Sequence, residues 1–107
     1  MNDNSAMPLR PAVVALLDAG QLPSEDAEVA SIAKFERLIT AIEEPLNRAE
    51  ATELLAVFGI DDCYGLAWTL LHLIEASDFE FRAAPDEENE WVQRLWARQD
   101  LDRQERR

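Results

Sequence analysis

The chain of 107 residues has one cysteine, one histidine and one lysine. A lone Cys63 excludes an internal disulfide and any multi-cysteine zinc site, so nothing but a packed core holds the fold together. His72 as the only histidine argues against helical di-metal centres, which draw carboxylates from several helices and usually more than one histidine. No apolar run approaches the roughly 20 residues of a membrane-spanning helix. The opening Met1-Asn2-Asp3-Asn4 lacks the basic and apolar stretches of a secretory leader, which leads to the expectation of a cytoplasmic protein. No cofactor-binding motif is found.

Base is also scarce. Ten basic residues face 22 acidic ones, a formal net charge of −12. Residues 1–93 hold 19 acids and 5 bases, whereas residues 94–107 hold 3 acids and 5 arginines. Such a field disfavours nucleic acid and anionic membrane as direct partners and favours a basic protein. Nine of the ten bases are arginine and alanine is abundant, a composition that hints at a bacterial source.

Hydrophobic residues make up 48% and charged residues 30%, enough apolar matter for one core in one domain. The periodicities predict an all-α bundle of about five helices. The first helix is expected to start near Pro8, with Pro8 and Pro11 tolerated in its first turn; Leu9, Val13, Leu16 and Leu17 recur at helical spacing, and Gly20 ends the segment. Ser24 is the expected N-cap of a second helix, whose stripe runs through Val29, Ile32, Phe35, Leu38, Ile39 and Ile42 and stops before Pro45. Asn47 and Glu50 have capping-box spacing, with Leu46 and Ala51 as a staple; Ala51, Leu54, Leu55 and Phe58 give the buried face before Gly59. Residues 61–76 are read as a central, nearly all-apolar helix capped by Asp61 or Asp62, with Gly65 in its first turns. Phe79 and Phe81 alternate with charge over too short a stretch for a sheet, so 77–85 is read as a packed loop. Asp86 is the expected cap of a last helix with Trp91, Val92, Leu95 and Trp96 on its apolar face. The ends, 1–6 and about 102–107, are expected to fray.

Three groups of residues bear on chemistry. His72 and Glu75 are neighbours at i and i+3, a spacing that permits a metal or acid–base pair and supports a metal-assisted enzyme as one alternative. The simpler reading has His72 at the edge of the core, oriented by Glu75. Cys63 is read as a small buried residue: adjacent Asp61 and Asp62 oppose its ionisation, and His72 lies about 13 Å along a continuous helix. Trp68 is assigned to the core. Trp91 and Trp96 diverge by about 140° around their helix, so at least one is expected to be partly exposed.

The leading expectation is a non-enzymatic binding module that docks on a basic protein, such as an inhibitor or immunity protein neutralising a nuclease-type toxin. Glu43, Glu44, Glu50, Glu53, Asp86, Glu87, Glu88 and Glu90, most of which have no base at i+3 or i+4, would supply the field, with Trp91 or Trp96 as apolar anchor. Self-association as a homodimer through the Trp91–Trp96 strip is the other alternative.

Overall fold

The computed structural model describes residues 9–85 and 89–105. Among the described residues the regular structure is five α-helices and one 3₁₀ turn, with no strand. Helix α1 (Pro11–Ala19) starts later than the expected position near Pro8, leaving Leu9 outside it; Pro11 holds its first position, where a missing amide donor costs nothing, and it ends on Gly20 at φ 92°. Val13 and Leu16 are its buried residues.

Helix α2 (Val29–Thr40) begins later than the Ser24 cap implies. Ser24 instead closes a turn, its hydroxyl accepting from the Asp26 amide and its carbonyl from the Ala27 amide. The consequence is that Val29, placed by its spacing on the apolar stripe, sits at the helix start and is 83% exposed. Phe35 and Ile39 are the residues that α2 buries.

Helix α3 (Arg48–Leu54) carries the expected capping box: Asn47 Oδ1 accepts from the Glu50 amide and Glu50 Oε1 from the Asn47 amide. Leu46 and Ala51, the expected staple, are both buried. The helix tightens into a 3₁₀ turn at Leu55–Val57 and stops at Phe58. Gly59 acts as a spacer beyond that stop: a Cβ there would lie 2.4 Å from the Leu22 carbonyl oxygen.

Helix α4 (Leu66–Glu75) is shorter than the 61–76 expected. Cys63 and Tyr64 adopt φ of 48° and 54°, and Gly65 follows at 95°, so the chain runs left-handed for three residues before the helix starts. Asp61 and Asp62 therefore lie in a loop and do not cap α4, and Gly65 is the N-cap residue itself. Leu66, Ala67, Leu70, Leu71, Leu73 and Ile74 are buried, while Thr69 and His72 give the helix an exposed side that its composition conceals.

The 77–85 segment is a packed loop, as its short alternation implies. Phe79 is buried, Phe81 half-buried, and their rings meet edge to face at 4.9 Å. Gln99 clamps the backbone of both, donating to the Phe79 carbonyl and accepting from the Phe81 amide. Helix α5 (Glu90–Glu105) is capped by Asn89, whose Oδ1 accepts from the Trp91 and Val92 amides at 2.8 and 3.3 Å. The expected cap, Asp86, lies outside the described residues. Residues 101–105 are helical and exposed, a solvated extension with its arginine near the negative end of the helix dipole.

The principal helix contacts run α3 to α1, α1 to α2, α2 to α4 and α4 to α5. Helix α4 is thus the most deeply buried element, held between α2 and α5, and the packing has no single hub. At one end the loop at 21–25 and the loop at 57–65 are laced together. Leu22 donates its amide to the Val57 carbonyl, and Gln21 Nε2 donates to the Phe58 carbonyl. Asn89 Nδ2 donates to the Phe58 and Gly59 carbonyls, bringing the start of α5 to the same place.

This junction makes Gly59 a test of the packing. Gly59→Ala forces a methyl group against backbone, and overpacking of this kind costs about 1–3 kcal/mol. Urea denaturation should show that loss; an unchanged midpoint would mean that the two loops do not meet as closely as the geometry requires.

Candidate functional site

Glu50 is one of the residues expected to project a field, and the structure corrects that expectation. Its side chain is completely buried, the only charged residue so placed among those described. Capping of α3 turns it inward, and Arg10, just before α1, reaches it from 40 residues away. The Arg10 backbone amide and Nε both lie 2.9 Å from Oε2, and its NH2 group lies 3.0 Å from Oε1. A second bond from that NH2 group reaches the Pro45 carbonyl. Burial alone would push the Glu50 carboxyl up; the hydrogen bonds from Arg10 and from the Asn47 amide outweigh it and hold the carboxyl at about 2. Glu50 is therefore a structural anion, unavailable to a partner.

The other expected carboxylates divide. Glu43, Glu44 and Glu53 are exposed and form no salt bridge among the described residues. Glu43 does contribute to the negative surroundings of Arg10. Glu90 is exposed but has a partner at i+4, with Arg94 NH2 at 3.0 Å. Asp86, Glu87 and Glu88 lie outside the described residues.

The tryptophans separate cleanly. Trp91 is only 4% exposed, stacked on Phe58 at 6.3 Å and meeting Trp68 edge to face at 5.3 Å. Arg94 lies over both rings, its guanidinium carbon 4.4 Å from the Trp91 centroid and 5.4 Å from that of Trp68. Trp91 is thus the core of the α4–α5 contact and offers no anchor. The reason is that the broad apolar face of α5 is centred on Trp91, Val92 and Leu95, which leaves Trp96 at its margin. Trp96 is half-buried and stands outside the hydrophobic cluster. Trp68, assigned to the core, packs against it while remaining partly exposed.

The His72–Glu75 pair does not assemble. His72 is exposed with its ring 5.8 Å from that of Trp68, and Glu75 is engaged by Arg98, which donates through both Nε and NH2. Among the described residues no group of three or more histidine, cysteine or acidic side chains is placed to hold a metal ion. Cys63 is buried, as expected. Burial raises its thiol pKa, and Asp61, Glu25 and Asp62 raise it further, which opposes the thiolate a nucleophile would need.

Sequence reasoning overlooked the loop at 57–65. Asp61 Oδ1 accepts from the Cys63 amide and Oδ2 from the Glu25 amide, so one carboxylate braces both loops. Tyr64 lies across Glu25, its hydroxyl donating to the Glu25 carbonyl at 3.0 Å and its amide to Glu25 Oε2 at 3.3 Å. Ile60 and Tyr64 nonetheless stay 82% and 68% exposed. The signal was present as Gly65: glycine after Asp61-Asp62 is as good a turn marker as a helix residue, and reading it as a turn would have released Tyr64 from the helix.

The buried carboxylate sets a pH dependence. The folded pKa of Glu50 lies below its unfolded value of 4.5, so its contribution is complete above about pH 5 and is lost as pH falls toward 2. The depression corresponds to about 3 kcal/mol. Between pH 5 and 2 the stability of the native chain should fall by about that much more than that of Glu50→Gln; parallel profiles would contradict the assignment. No protein-family model matches this chain, and neither a curated protein nor a solved structure is similar to it at a significant level.

Proposed function

We propose that this protein is a non-enzymatic binding module whose acidic body docks on a basic protein and covers the surface by which that protein would meet an anionic substrate. The observation that carries this reading is the combination of charge excess with exposure. The chain has a net charge of −12, yet salt bridges among the described residues occupy only Glu50, Glu75 and Glu90. Glu43, Glu44 and Glu53 remain as exposed, unbridged carboxylates on the α2–α3 side of the bundle. Like charge held on a small surface repels itself and costs stability, while steering an oppositely charged partner into fast association.

The size and helicity suit an inhibitor or immunity protein that occupies the nucleic-acid site of a basic nuclease. Self-association through Trp91 loses its main support, since Trp91 is enclosed by Phe58, Trp68 and Arg94.

The test is association with the product of the neighbouring gene, which this reading expects to be a basic protein, since inhibitor and target are usually encoded together. Affinity should fall at least tenfold between about 0.05 and 0.5 M salt, because the Debye length shrinks well below 10 Å over that range. Absence of binding, or an affinity indifferent to salt, would overturn the reading.

A further inference from the structure

We infer that the docking face lies at the laced loop end, with Ile60 and Tyr64 as its apolar anchors, and that it receives a segment combining arginine or lysine with apolar side chains. This rests on the proposed basic-partner reading and specifies where and what that reading binds.

Three features set this end apart. First, Ile60 and Tyr64 are large apolar side chains held far out of the surface within five residues of each other, at 82% and 68% exposure. Val29, 83% exposed, stands four residues beyond Glu25, on which Tyr64 lies. Burial of such groups is unfavourable to forgo unless another surface covers them, and aromatic anchors are the commonest dominant residues of interfaces.

Second, the backbone that carries them is fixed. Asp61 braces both loops, Tyr64 is tied to Glu25 through hydroxyl and amide, and Asn89 fastens the Phe58 and Gly59 carbonyls. Cys63 is buried under the loop and, with Tyr64, holds a left-handed conformation that side chains other than glycine adopt at a cost of about 1–3 kcal/mol each. A loop held this rigidly loses little entropy on binding, which is where preorganised surfaces gain affinity.

Third, the charge carried by the two loops that bear the anchors has one sign. No lysine or arginine occurs between Arg10 and Lys34 or between Arg48 and Arg82, so both loops are base-free. Glu25, Asp26, Glu28 and Asp61 flank the exposed apolar side chains, with Asp26 and Glu28 exposed. An apolar patch rimmed by carboxylates disfavours a second copy of the same chain, since the two rims would meet as like charges. It matches an amphipathic basic segment, in which cations meet the rim while an apolar side chain covers Ile60 and Tyr64.

The experiment uses the full chain and two synthetic helical peptides of equal positive charge, one of arginine and leucine, the other with each leucine replaced by glutamine. Binding is followed by calorimetry, and contact by amide chemical shifts. The arginine–leucine peptide should bind about tenfold more tightly, with shifts centred on residues 25–29 and 58–65. Ile60→Ser with Tyr64→Ser should abolish that preference while leaving salt-sensitive binding of both peptides in place. Glu44→Gln with Glu53→Gln should leave the preference intact. Since Ile60 is mostly solvent-facing, Ile60→Ser alone provides a folded variant should the double one be destabilised, and it should remove at least half of the preference in log units.

An undiminished preference in the Ile60 and Tyr64 variants, or shifts centred on Glu43, Glu44 and Glu53, would overturn the location while the basic-partner reading survived. Failure of both peptides to bind at low salt would overturn the two together. A concentration-dependent dimer weakened by Ile60→Ser would overturn the assignment of the face to a basic partner and give it to a second copy.

Discussion

A carboxylate with no access to water organises the N-terminal half of this protein. Glu50 faces inward because its own backbone position, three residues after Asn47, turns its side chain back over the start of α3. An ionised carboxylate in that setting requires both charge and hydrogen bonds to offset desolvation, and Arg10 supplies them from immediately before α1. The same contact therefore fixes where α1 begins, how it meets α3, and where the chain around Pro45 passes, since Arg10 also bonds the Pro45 carbonyl. Helix α2 packs on α1, α4 on α2, and α5 on α4, so the position of each later helix follows from a pairing made at the beginning.

That node also divides the acidic residues by task. Glu50 and Glu75 join separate elements through Arg10 and Arg98, Glu90 pairs with Arg94 within α5, and the arginines of α5 additionally lie over the Trp68 and Trp91 rings. Asp61 acts through hydrogen bonds to backbone amides and lashes two loops into one surface. Glu43, Glu44 and Glu53 stay exposed and outside any salt bridge among the described residues. Lysine and arginine are missing from the sequence along 11–33 and 49–81, and there the exposed apolar side chains Val29, Ile60 and Tyr64 also occur.

Much of the architecture could be read from local chemistry. Pro11 in the first turn of α1, the Gly20 stop, the Asn47–Glu50 capping box and the Phe79–Phe81 loop all arise from neighbours a few residues apart, and all stand in the structure as expected, although α1 starts later than near Pro8. What eluded sequence reasoning was set by distant partners. Glu50 has no base at i+3 or i+4, and only the approach of Arg10 across 40 residues makes it internal. Val29 satisfies the helical period of α2, yet its place at the helix start leaves it outside the core. Cys63 and Tyr64 would continue a helix by composition; the Asp61 carboxylate and the positive φ of Gly65 draw them into a left-handed loop instead. Asn89 caps α5 through a carboxamide that accepts from the helix and donates to Phe58 and Gly59 at once, a role set by carbonyls 30 and 31 residues away.

The candidate docking face was the least legible part, because it depends on which apolar residues the fold leaves uncovered, and apolar periodicity reports only those it buries. Its position nevertheless depends on the packing that starts at Arg10 and Glu50, so the direct measurement is the coupling between them. A double-mutant cycle with Arg10→Met and Glu50→Gln, read by urea denaturation at neutral pH, should give a coupling of about 2 kcal/mol, as expected for a buried, multiply bonded pair with one partner partly in solvent. Additive losses, with coupling near zero, would contradict the account of a fold organised around this carboxylate.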